Sequence, residues 1–160
     1  MRFGFRSGTK RGLRAEHGAI AVEFAIIFPV LMLLIFGIVD FGHAWYMRHL
    51  MSDASREGAR YGSRYLTDAS GHRILPKNLS PSISNYVLTT WGLSGRLPCD
   101  SSPNVALTGP AAIESNPSIL AGEDLIVTVT ATKTWFVIDK LIPGFGSSKT
   151  LTVATTMTCE

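Results

Sequence analysis

Past its first sixteen residues this sequence carries little charge, and nowhere does it carry a catalytic signature. There is no G-x-S-x-G elbow, no H-E-x-x-H pair and no phosphate-cradling P-loop. No two carboxylates sit at a spacing that suggests acid–base work, so an enzyme is not expected. No basic stripe interleaved with aromatics follows the N-terminal leader, which argues against nucleic acid as a partner. Cysteine is scarce: Cys99 and Cys159 are far apart, form no C-x-x-C and have no histidine beside them. Export would make a disulfide the natural reading, tying the chain end to the loop around Pro98; the alternative is two unrelated free thiols. His17, His43, His49 and His72 do not form a ligand set, so neither a metal nor a cofactor is expected. The Asn78-Leu79-Ser80 sequon is followed by Pro81 and is a pattern common by chance. Internal repeats and low-complexity tracts are absent.

What the sequence has in abundance is one apolar run. Residues 19–39 read AIAVEFAIIFPVLMLLIFGIV, and Glu23 is the only ionisable side chain among them. A helix of that length spans about 30 Å, the thickness of a bilayer core. It is too long for the apolar region of a cleavable secretory signal, and Asp40-Phe41-Gly42-His43 follows where a small-residue cleavage site would be needed. Pro29 is tolerated in a membrane helix and tends to kink it. Arg2, Arg6, Lys10, Arg11 and Arg14 precede the run. Arg48, Arg56 and Arg60 follow it, diluted by Asp40, Asp53 and Glu57. That bias orients the N-terminus to the cytoplasm and the remainder outside. A carboxylate at membrane depth is costly, which marks Glu23 as a functional candidate.

Helical patterning continues beyond the run. Ala44, Met47, Met51, Ala54, Gly58, Tyr61 and Tyr65 recur at alternating spacings of three and four, one face of a helix. Trp45 and Tyr46 fall where amphipathic rings prefer the membrane–water boundary. Arg56, Arg60 and Arg64 line a second face, read either as solvated or as a docking stripe for an acidic partner. Asp53 is in reach of Arg56, and Glu57 of Arg60 or Tyr61. Continued backwards, the apolar ruler passes through Asp40, Gly37, Leu33, Val30 and Ile26 to Glu23, only approximately because a straight helix drifts against a heptad.

The remaining chain predicts a small α+β body. Ser82–Trp91 reads as a short helix capped by Ser80-Pro81 and ended by Gly92. Residues 94–104 and 109–124 read as loop and turn, with a short strand at Val105–Leu107. Leu125–Val137 alternates, placing Leu125, Val127, Val129 and Ala131 on one face. Ile138–Ile142 reads as a helical turn, and Thr150–Thr158 as a second long strand. The organisation expected is a basic leader (1–18), a membrane span (19–39), an extramembrane continuation of the helix (40–66) and a small exported domain (67–160). The long helix packs on an antiparallel sheet.

The string RAEHGAIAVEFAIIFPVLMLLIFGIVDFGHAW, with SDASREGARYGS after it, resembles the TadE-like proteins of tight-adherence (Flp-type) pilus systems, pseudopilins of the type IVb class. The resemblance rests on the basic leader ending in Gly18, on Glu23 and Phe24, on Pro29, on Asp40-Phe41-Gly42, and on the run Arg56, Glu57, Gly58, Ala59, Arg60 behind Ala54-Ser55. It covers about residues 10–65; the strands and Met157 near the end agree only in style. Glu16 in the leader and Phe24, where tyrosine also occurs, are mild departures. The resemblance implies a minor pseudopilin in a bacterial inner membrane, single-pass, with its C-terminal domain periplasmic, incorporated in or associated with the pilus. It implies a prepilin peptidase cutting between Gly18 and Ala19, which removes the five basic leader residues. It implies that Glu23 meets the new α-amino group of a neighbouring subunit. The implied partners are membrane lipid, other pilin-like subunits, the assembly machinery and the peptidase. The alternative expectation is an uncleaved, signal-anchored periplasmic binding or scaffold protein.

Overall fold

Small residues decide how this molecule is put together. In the computed structural model, which describes residues 12–98, 102–142 and 144–160, helix α1 runs from Gly12 to Ser63. It begins before the expected start at Ala19, because a lone glycine at position 18 costs a helix only about 1 kcal/mol. Among the described residues α1 is the one helix long and apolar enough to cross a membrane, and its most apolar window is wholly uncovered.

The C-terminal half of α1 lies on a three-stranded antiparallel sheet of order β1-β2-β3: β1 Asn104–Thr108, β2 Asp124–Thr134, β3 Ser148–Thr158. This is the α+β architecture that the patterning predicts. Val105 of β1 pairs with Val129 of β2, which pairs in turn with Val153 of β3. Leu125, Val127, Val129 and Ala131 are buried against α1, as the alternation requires, facing Met47, Met51, Ala54 and Ala59 in one core. Ile83, Val87 and Leu93 close that core from the side.

Close approach is possible because two of the helix residues have no side chain. A Cβ at Gly62 would lie 2.5 Å from both Ile83 Cδ1 and Leu125 Cδ2, and one at Gly58 would lie 2.6 Å from Val87 Cγ2. The Ser55 and Thr155 hydroxyls, 2.7 Å apart, join the same seam to β3. Gly62→Val is expected to destabilise the body by about 1–3 kcal/mol through overpacking, measured as a lower melting temperature in detergent. Gly62→Ala is expected to lose less, since alanine returns up to about 1 kcal/mol of helix propensity.

The segment expected as one helix over 82–91 is helical without a break from Ile83 to Thr90, α2 (Ile83–Asn85) passing directly into a π-helical turn at Tyr86–Thr90. The Ser82 hydroxyl accepts from Asn85 N at 3.3 Å, and Gly92 ends it at φ +83°. Elsewhere the connections hold short turns where loop is expected. Residues 94–96, expected as loop, belong to the turn α3 (Leu93–Arg96). The stretch 109–124 holds α4 (Pro110–Ile113) and a 3-10 turn at Pro117–Ile119, each opened by a proline whose fixed φ suits a first helical position. The β2–β3 connection contains α5 (Ile138–Leu141).

Candidate functional site: the uncovered span and its exit

Two regions of α1 carry the residues singled out in the sequence. The first is the apolar run. Gly18, Ala19, Glu23 and Phe24 are exposed, and a Cβ at Gly18 would meet nothing within 4 Å. Glu23 has no hydrogen-bond or ion-pair partner among the described residues. Phe24 makes a tilted ring contact with Phe28, centroids 5.3 Å apart. Pro29 lies inside the helix without ending it. The leader residues 1–11 lie outside the described residues.

The second region is where α1 leaves the run. Asp40 is buried, and it is the organising group of this end of the molecule. Its Oδ1 accepts from Phe136 N at 3.0 Å; its Oδ2 accepts from Val137 N at 3.2 Å and Ile138 N at 3.3 Å. These are amides at the start of α5, groups that have no partner within so short a helix. One carboxylate on α1 therefore caps a turn nearly a hundred residues away. Lys133 Nζ lies 3.5 Å from Asp40 Oδ1, with both side chains buried. Its ammonium also donates to the Thr134 carbonyl and lies 4.1 Å from the Phe136 ring centroid. Burial pushes the Asp40 carboxyl up, but the three amides and the ammonium outweigh it, so the net shift is down.

This cap explains why β2 stops at Thr134 instead of running to Val137. The amides of residues 136–138 turn to Asp40, not to a strand partner. Lys133 was not singled out in the sequence, although a signal was there. It continues the inward phase of Leu125, Val127, Val129 and Ala131, and a lysine in a buried phase needs a partner. Phe41 and Gly42 next to Asp40 are exposed, and Phe41 sits 6.0 Å, centroid to centroid, from Trp135.

The run from Ala54 to Arg60 divides by face. Gly58 and Ala59 are buried in the helix–sheet seam, whereas Arg56 and Arg60 are exposed. Glu57 accepts from the Tyr86 hydroxyl at 3.1 Å instead of pairing with Arg60. Burial, then this bond, raises the Tyr86 pKa. The Tyr86 ring stacks on Tyr61 at 4.1 Å. The ion pairs among the described residues are His72–Asp68 and Lys133–Asp40, so Asp53 does not pair with Arg56. Cys159 is buried, which pushes its thiol pKa up, and it has no disulfide partner among the described residues. Cys99 lies outside them. No three His, Cys, Asp or Glu side chains among the described residues gather as a metal set.

Compared with known proteins, residues 18–60 match the family model of TadE-like proteins. No curated protein and no solved structure matches the chain.

Proposed function

We propose that this chain, TadE-like over residues 18–60, is a minor pseudopilin, a non-catalytic structural or assembly component of a tight-adherence pilus and secretion apparatus. The family supports a pilus-associated component in general. The observation that favours a pilin-like role is the division of the molecule. The body closes its own core on the outer half of α1, and no residue of the apolar run 19–39 is buried, with one carboxylate among them. A surface of that kind suits lipid before assembly and neighbouring helices after it.

In this reading prepilin peptidase cuts between Gly18 and Ala19. The new amine and Glu23 then lie about 6 Å apart along the helix axis, placing a cation and an anion at the same end of each subunit. The span sits in the inner membrane with the body in the periplasm. N-terminal sequencing of membrane-extracted protein tests this directly. A chain that begins at Ala19 is the expected result; an intact leader supports the uncleaved, signal-anchored alternative. Gly18→Leu is expected to abolish processing, seen as retention of the longer form on a gel. Normal processing of that variant would remove Gly18 from the recognition site.

A further inference from the structure

The chain direction places the β2–β3 connection at the membrane end of the body. α1 leaves the span at Asp40 and runs outward, whereas β2 runs back: Leu125 faces Gly62, Val127 faces Gly58, and Lys133 reaches Asp40. The connection after Thr134 is therefore delivered to the level of the span, and it is apolar. Phe136, Ile142 and Phe145 are 57%, 45% and 42% exposed, a costly arrangement for a loop tip in water.

We propose that this connection dips into the bilayer leaflet from which the body emerges, with Phe136, Ile142 and Phe145 in contact with lipid. Ile138, Ile142 and Phe145 share a cleft with Leu33, Phe36, Gly37 and Phe41 of α1. Leu33 is six residues inside the span, about 9 Å along the helix, within the depth at which amphipathic segments lie in the interface. The lipid-facing surface of α1 at that level includes Leu34 and Ile35, both exposed, and the loop residues extend it sideways. Phe41, Trp135 and Phe145 form a continuous ring ladder from helix to loop, with centroid separations of 6.0 and 5.3 Å. The exposed Lys140 and Lys149 flank the apolar tip, where ammonium groups meet anionic headgroups. The Asp40 cap fixes the loop to the exit of the span, so the body cannot swing its apolar tip clear of the membrane.

The inference rests on residues 19–39 spanning the bilayer, and the experiment separates the two claims. An environment-sensitive fluorescent amino acid is placed at position 145, 142, 113 or 28 of the full chain, one per protein. Each protein is reconstituted in phosphatidylcholine–phosphatidylglycerol vesicles with nitroxide-labelled lipid, deep-labelled to read position 28 at the centre of the bilayer and shallow-labelled to read positions 142, 145 and 113. Position 28 reports the span. Position 113, in α4 at the membrane-distal end of the sheet, reports water. Quenching at 28, 145 and 142 but not at 113 is the expected result. Quenching at 28 with 145 and 142 unquenched overturns the inference and leaves the span standing. An emission shift at 145 and 142 that grows with protein density but is insensitive to nitroxide lipid also overturns it, in favour of a second copy of the chain. No quenching at 28 removes the span and the inference together.

Discussion

Asp40→Ala is expected to destabilise the body by about 3–5 kcal/mol, the range for breaking one partner out of a buried ion pair. The melting temperature should fall by more than about 10 °C. The substitution leaves the Lys133 ammonium buried beside the Phe136 ring, and it strips three amides of α5 of their acceptor. Asp40→Asn is no rescue, since only one of its two terminal atoms accepts. Lys133→Met is expected to cost less, about 1–3 kcal/mol, because Asp40 keeps its amides. The double variant should then lose less than the sum of the two single losses, the mark of coupled partners. Circular-dichroism melts of the full chain in detergent measure all four. A melting temperature for Asp40→Ala within about 2 °C of wild type would rule out the cap as a stabilising element.

The same group predicts an acid limb. Asp40's carboxyl is held below its ordinary value in the folded state. Its contribution is thus complete above the unfolded carboxylate pKa of about 3.9. It is lost as pH falls through the lower folded value, because the unfolded chain takes up the proton first. Stability should decline below about pH 4 in the wild type and decline less steeply in Asp40→Ala.

The parts of this structure that could be read from the sequence are those set by period. Met47, Met51, Ala54 and Gly58 face the sheet because the three–four spacing says so, and Leu125 to Ala131 face the helix because the strand alternates. The exposed Arg56, Arg60 and Arg64 follow from the same ruler. What did not show was anything that depends on two distant segments meeting. The end of β2 is decided by a carboxylate on α1, not by residues 135–137, whose β-propensity is high. Glu57 lies in reach of Arg60 along the helix, yet Tyr86 arrives from the α2 side and takes its carboxylate. Gly58 is visible as a position of the stripe, but that Val87 leaves no room there is a property of the packed molecule. The turns at 93–96, 110–113 and 117–119 are too short for any period to register.

Glu23→Ala is expected to leave membrane insertion unchanged and to remove the protein from assembled fibres. Insertion is indifferent because deleting a carboxylate from an apolar run only lowers the cost of entering the bilayer. Within a lone subunit the acid lies only about 6 Å into the span, near enough to the interface for its head to reach water. Assembly as proposed would be different, because a bundle of helices would close over the carboxylate and exclude solvent. A carboxylate in that setting is tolerated when a cation meets it, and cleavage at Gly18 would supply one on every subunit at nearly the same height. The pairing would then reward one axial stagger between neighbours, whereas apolar side chains pack tolerably at several. Loss of one partner from such a pair, about 3–5 kcal/mol, corresponds to a fall of about two to four orders of magnitude in association. Glu23→Gln should fail as well, since an amide keeps the size and loses the charge. Amounts in the membrane fraction and in sheared fibres, measured side by side, give the answer. Wild-type recovery of Glu23→Gln in fibres would show that shape, not charge, sets the register.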